Sequence, residues 1–336
     1  MATDFPGGRN FIREAFHRKG VDEDTARIML ASLATSTLKQ YEVGLKLWWA
    51  FCKQNSLAPF RESVLDILKF LQTEYDRGLG YGSLNSFRSS LSVIFSPSVA
   101  EDARIKRFFK GVASLRPPRP RYTTLWNPEL VLKHLSSWFP NEDISLEQLS
   151  LKLIMLLALV TAHRMQTFSL IELSHIIADA EGVRIFIPAR IKTSGPNRNQ
   201  PVLVLPFFKE NSSVCAATTL IEYLNKTKNI RSSCCTRLFI SWRKPHLQVS
   251  SQTLSRWVKL VLEKSGVDIN IFSAHSVRHV STSIAFQQGI NIDLIRSTAG
   301  WSNTSNVFAR FYNRPISDPN SFAMSILKGS VSDHVD

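Results

Sequence analysis

The chain is 336 residues long, more than one hydrophobic core comfortably serves and suited to two domains. Its composition, 44% hydrophobic and 20% charged, excludes wholesale disorder, while 41 Lys and Arg against 27 Asp and Glu leave a formal charge of +14 that favours a polyanionic partner, nucleic acid first. The four cysteines, Cys52, Cys215, Cys234 and Cys235, give neither a secreted disulfide framework nor a metal-type spacing, so the chain reads as intracellular and reduced.

The opening MATDFPGGRNFIREAF has no charged region followed by an apolar one, and no secretory signal is expected. The first hundred residues read as helical. In TLKQYEVGLKLWWAFCKQN, Tyr41, Leu45, Trp48, Trp49 and Cys52 form one helical stripe, which is best read as packing. RESVLDILKFLQTEY repeats the pattern with Val64, Leu65, Leu68, Leu71 and Tyr75, and Gly78 and Gly80 end it. Residues 83–95 and 101–113 complete a small helical bundle.

From Arg104 to Arg121 the chain changes character. Seven basic residues, Arg104, Lys106, Arg107, Lys110, Arg116, Arg119 and Arg121, occur without an acidic one, and Pro117, Pro118 and Pro120 stiffen the end of the segment. A domain linker over 115–122 separates a helical domain, 1–114, from a second domain, 123–336. The seven cations are candidates to lie along a phosphate backbone.

In the second half, 127–139 and 146–161 read as helices. The run from Leu151 to Val160 is too short for a bilayer and contains Lys152, so it is expected to be a central buried helix, and no membrane role is expected. The strand-like VRIFI (183–187) and PVLVL (201–205) flank a Ser-, Gly-, Pro- and Asn-rich turn that carries Lys192. Leu238 to Ile240 suggests a third short strand. Helices follow at about 215–227, 250–265, 276–288, 291–299 and 304–312, with Asn291 and Thr304 as N-caps. The fold class is mainly α with a small antiparallel sheet.

Certain polar residues stand near helix ends where packing does not require them. Arg164 follows the apolar run, which asks for a carboxylate partner or an anionic ligand. Lys192 sits at the hairpin tip. His275 and Arg278 share one helix face, and Trp301 follows Gly300 at a junction before Tyr312. Each alone is more often structural than catalytic. In order they are specific: Arg, Lys on a hairpin, H-x-x-R, G-[HW], then Tyr resembles the active-site signature of the tyrosine recombinase (phage integrase) superfamily. The interval from Arg278 to Trp301 matches the usual one, and the helical first half resembles the family's core-binding domain. FKGVASLRPPRPRYTTLWNPELVLKHL and HRMQTFSLIELSHI look most like the recombinases of eukaryotic DIRS, Ngaro and Crypton mobile elements, DIRS above all. The chain departs from the pattern twice. The interval from Trp301 to Tyr312 is slightly longer than in bacterial members, and Thr167 stands where an acidic residue often follows the first arginine.

The resemblance implies a site-specific recombinase that cuts and rejoins double-stranded DNA by metal-independent transesterification. Tyr312 would be the nucleophile of a 3′-phosphotyrosyl intermediate, Arg164 and Arg278 would grip the non-bridging oxygens, and Lys192 would protonate the 5′ oxygen. His275 would bind the phosphate or move the tyrosine proton, and Trp301 would supply an N–H donor and a packing wall. It further implies a dimer on each DNA site and a tetramer in synapsis, integration or excision of a mobile element, and residence in the nucleus. No cofactor, metal or small-molecule substrate is called for. Two other readings stand beside it. One is a domesticated, catalytically silent DNA-binding protein. The other is a metal hydrolase built on His275 and His279, whose i, i+4 spacing suits zinc but lacks the Glu of H-E-x-x-H and a third ligand.

Overall fold

Aromatic side chains at helical spacing build the first half from within. The computed structural model of the chain describes residues 4–117, 122, 124–195 and 199–301. Seven helices precede residue 116: α1 (Gly8–Arg18), α2 (Glu23–Ala31), α3 (Thr35–Gln54), α4 (Val64–Asp76), α5 (Tyr81–Ile94), α6 (Pro97–Glu101) and α7 (Ala103–Leu115). On α3 the stripe turns inward as its periodicity predicts, with Leu45, Trp48 and Cys52 buried. Trp48 packs edge-on to Phe70 and Phe95, and its indole donates to the Pro59 carbonyl at 2.9 Å. At Gly44 an added Cβ would lie 2.7 Å from Phe87 Cδ1, so the close crossing of α3 and α5 requires glycine there. On α4 Leu71 is buried and Val64, Leu68 and Tyr75 pack against the core as expected, joined by Ile67 and Phe70, while Leu65 is 61% exposed; the Ser63 hydroxyl caps the helix start.

The second half adds α8 (Pro128–Ser136), α9 (Leu146–Thr161), α10 (Met165–Ser169), α11 (Ala216–Thr227), α12 (Ser251–Lys264), α13 (Ser276–Gln287) and α14 (Ile292–Thr298). Three antiparallel strands, β1 (Ile176–Ala178), β2 (Gly182–Phe186) and β3 (Val202–Pro206), form a sheet in that order. β2 and β3 are where the alternating hydrophobics place them, and Val183, Ile185, Leu203 and Leu205 face the core. β1 is too short to show a period. Leu238 to Ile240 is buried but is no strand, since it makes only isolated bridges.

Helix α9 is the axis of this half. A capping box between Ser145 and Gln148 starts it, every residue from Leu149 to Ala158 is buried, and it packs against α11, α12 and α13. Truncating any of its large apolar side chains to alanine should cost about 2–5 kcal/mol. Lys152, fully buried among them, donates from Nζ to the Trp138 carbonyl at 2.5 Å and to Asn141 Oδ1 at 2.8 Å. Burial pushes its ammonium down to about 8. No helix among the described residues is long and apolar enough to cross a membrane.

The chain divides into two compact units, Met1–Arg119 and Pro120–Asp336. The basic segment between them is unevenly engaged. Arg104 bonds Asp102 at 2.8 Å and Lys106 bonds Glu101 at 2.6 Å, while Arg107 and Lys110 are exposed. Arg116 donates to the carbonyls of Tyr75 (3.2 Å) and Leu79 (2.7 Å) and stacks 4.1 Å from the Tyr75 ring centre. It thereby satisfies carbonyls at and beyond the end of α4, a structural duty that the expectation of a phosphate-backbone contact did not include. Arg119 and Arg121 lie outside the described residues. Tyr122 is buried in the second unit, stacked on Phe272, with its hydroxyl 2.6 Å from Ser273 Oγ.

Candidate active site

The site begins where α9 stops. Ala162 caps that helix in the left-handed region (φ 51°), an uncommon conformation for a residue with a Cβ, and this turns the chain sharply into His163 and Arg164. Arg164 is the N-cap of α10 and half-buried. The sequence left it a choice between a carboxylate and an anionic ligand. No carboxylate among the described residues pairs with it.

Arg278 approaches the same turn from α13. It is 2% exposed, and its Nη1 donates to the Ala162 carbonyl at 2.7 Å. Its guanidinium lies over the Trp301 ring, 4.4 Å from the centroid. His275, the N-cap of the same helix, is exposed, whereas Arg278 is buried.

Trp301 reaches Arg278 because of the residue before it. The Gly300 amide bonds the Ser297 carbonyl at 3.0 Å, and the Trp301 amide bonds the Arg296 carbonyl at 2.8 Å. These two bonds form a Schellman turn, which requires the left-handed φ of 65° that Gly300 adopts. The G-[HW] pair is thus a helix stop that folds its aromatic back onto Ala162, Ile295 and Ala299.

The hairpin is held close. The Lys192 amide donates to Gln166 Oε1 on α10 at 3.3 Å, and the lysine side chain is exposed. Thr193 Oγ1 stands 3.9 Å from where a Gly300 Cβ would be. Arg164, Arg278 and Trp301, together with the turn carrying Lys192, therefore converge around the end of α9. Tyr312 lies outside the described residues.

Sequence reasoning passed over His163. It is 5% exposed, its ring faces the Thr298 backbone, and its Cε1 is 3.3 Å from the place of a Gly300 Cβ. Burial first, then the charges of Arg278 and Arg164, push the imidazole down to about 4, against a smaller opposing effect of the Thr298 backbone. Its only signal in the sequence is a polar ring beside the motif arginine at the end of an apolar run.

The zinc reading finds no third ligand among the described residues, where no group of three His, Cys, Asp or Glu side chains could hold a metal. The His275 and His279 rings are 5.5 Å apart, edge to face.

The phage integrase family model matches residues 134–316, over half of the chain, and this stretch contains every residue of the converging set. The chain belongs to the phage integrase family. No curated protein matches it. Among solved structures, this integrase-family chain is similar to XerH site-specific recombinase in a post-cleavage complex with a palindromic difH substrate: TM-score 0.61, 14% identity, 98% of both chains covered. It is similar also to the Tn1549 transposon integrase in complex with transposon right end DNA, with TM-score 0.58 and 14% identity over 97% of this chain and 100% of that one. A lambda integrase dimer bound to a COC′ core site gives 0.54 and 19% identity, over 88% and 95%. At such identities the likeness speaks for the fold, which is that of the tyrosine recombinases.

Proposed function

We propose that this integrase-family protein is a site-specific recombinase of double-stranded DNA, working through a phosphotyrosyl intermediate. In the cutting step the Tyr312 oxygen bonds to phosphorus as the bond to the 5′ oxygen breaks, and the 3′ phosphate stays on the protein. The leaving 5′ oxygen takes its proton from Lys192, and His275 receives the tyrosine proton or bonds the phosphate. Arg164 and Arg278 meet the charge on the non-bridging oxygens. Because the phosphotyrosyl link keeps the bond energy, the reverse attack by a 5′ hydroxyl rejoins the strand without a nucleotide cofactor.

The observation that carries this reading is Arg278, which leaves α13, bonds the carbonyl at Ala162 and stacks on Trp301, two residues from an Arg164 that no described carboxylate neutralises. The structural relatives include a lambda integrase tetramer bound to a Holliday junction, and we infer likewise a dimer on each site and a tetramer in synapsis. The stretches around Arg116 and Arg164 that resemble DIRS-type recombinases support integration or excision of a mobile element, and with that substrate, residence in the nucleus. The domains that serve this activity are a core-binding domain over 1–114, a linker over 115–122 and a catalytic domain over 123–336. The test is to incubate the purified protein with paired target duplexes and sequence the product junctions. Reciprocal, base-accurate joints are expected. Binding without joints would favour the catalytically silent DNA-binder.

A further inference from the structure

His163 has no part in the chemistry of cutting and rejoining, yet it occupies the centre of the converging set. Its ring fills the space between two backbone turns. One is the left-handed bend at Ala162, which carries Arg164 and receives Arg278. The other is the Schellman turn at Gly300, which starts the segment leading to Tyr312. The ring faces the Thr298 backbone at the end of α14, and it lies close enough to Gly300 that even a methyl group there would come within 3.3 Å of Cε1.

We propose that His163 is a positioning residue for strand cutting, a strut that sets the distance from the arginine pair to the segment beginning at Trp301. This rests on the recombinase reading. The residue type follows from the site. The last carbonyls of a helix lack a donor within it, and a ring N–H facing Thr298 at the end of α14 can serve one. The donor must be uncharged at working pH, because Arg164 and Arg278 already supply the positive charge. It must also be planar to pass Gly300. Burial beside two guanidiniums keeps the imidazole neutral, which meets the second condition. Leucine would fill the space without donating, and glutamine would donate with a thinner, looser side chain.

The experiment measures single-turnover adduct formation on a nicked suicide duplex, with DNA affinity and thermal unfolding recorded separately. His163→Leu should slow adduct formation by about tenfold to a hundredfold, since small misplacements of reacting groups cost that much. Its DNA affinity should stay at the wild-type value, and His163→Gln should recover most of the rate. A His163→Leu protein that cuts at the wild-type rate, or a His163→Gln protein that is stable yet no better than the leucine variant, would overturn the proposal. Should the leucine variant fail to fold, the decision passes to a double-mutant cycle of His163→Gln with Gly300→Ala. Coupled effects on the rate are expected, and additive ones refute the strut. A wild-type protein that makes no adduct would refute the recombinase reading instead. In that case the strut is judged from the Trp301 indole and Gly300 amide resonances. These should shift in His163→Leu and largely return in His163→Gln, and resonances that stay in place would overturn it.

Discussion

In the N-terminal unit the buried charge-bearing side chain among the described residues is Glu74, and Arg77 meets it at 2.7 Å. In the second unit the corresponding side chains are Lys152, His163 and Arg278, all basic, and the partners described for them are oxygens of carbonyl and amide groups. A carboxylate and a guanidinium close on each other and leave little field outside. Carbonyl dipoles offset a cation only in part, and the half-buried Arg164 adds a second charge beside Arg278 at the end of α9. Lys152 lies within α9 and braces the 138–141 segment. Arg278 lies at the helix end beside the half-buried Arg164, where an anion can approach. The difference teaches that the first unit uses its charges to hold shape, and the second holds some of them ready for a ligand.

The largest expected effect tests that division directly. Arg164→Ala and Arg278→Ala should each slow adduct formation by about 10²–10³. They should part on stability. Arg278→Ala removes the donor to the buried Ala162 carbonyl and should cost about 1–3 kcal/mol in denaturant unfolding. Arg164→Ala should unfold with the wild type. Equal destabilisation by the two would erase the distinction between a braced arginine and a waiting one.

Next comes the pH dependence of stability contributed by two buried groups of the second unit. The folded pKa of His163, about 4, is below its ordinary 6.5, so between those values the unfolded chain binds more protons. Stability should therefore fall as pH drops through that window, and His163→Gln should flatten the fall. Lys152 is depressed from 10.5 to about 8, so its contribution should make stability rise with pH across that interval. Unfolding of Lys152→Met followed over pH checks this, since the rise should be missing from the variant.

The smallest effects belong to the basic segment. Replacing the exposed Arg107 and Lys110 by glutamine should make the slope of log K against log [salt] for DNA binding shallower by about 0.9 for each phosphate that is no longer neutralised. Preference for target over random DNA should not change. Arg116→Gln should instead lower thermal stability, because it leaves the Tyr75 and Leu79 carbonyls without their donor. A shallower slope for Arg116→Gln at unchanged stability would reverse that assignment.

Helices α3, α4, α5, α7, α9, α11, α12 and α13, the β2–β3 hairpin and the mainly helical class were legible because each rests on a period that runs for several turns or alternations, while the expected helix 304–312 lies outside the described residues. The stripe of α4 held except at Leu65, which is exposed, and it missed Ile67 and Phe70, which share the buried face with Leu71. β1 is three residues long and has no period to read. The spacing of the motif pointed to Arg164, Lys192, Arg278 and Trp301, and the structure brings Arg164, Arg278, Trp301 and the Lys192 turn together. His163 escaped notice because its importance comes from two turns distant in sequence, at Ala162 and Gly300. Arg116 escaped for a similar reason, as nothing local foretells carbonyls at Tyr75 and Leu79.

The central claim is that the arginine pair serves an attack by Tyr312. Of the other five tyrosines, Tyr41, Tyr75 and Tyr81 belong to the first unit, and Tyr223 is buried with its hydroxyl accepting from the Ile240 amide at 3.2 Å. Tyr122 lies edge-on to His279, 5.2 Å between centroids, which makes it the sharpest competitor. The most direct measurement traps the protein on a nicked suicide duplex, digests it, and identifies by mass spectrometry the peptide that carries the 3′ phosphate. The account predicts a nucleotide adduct on Tyr312 alone, lost in Tyr312→Phe while DNA binding persists. An adduct on Tyr122, or one that survives in Tyr312→Phe, would contradict it.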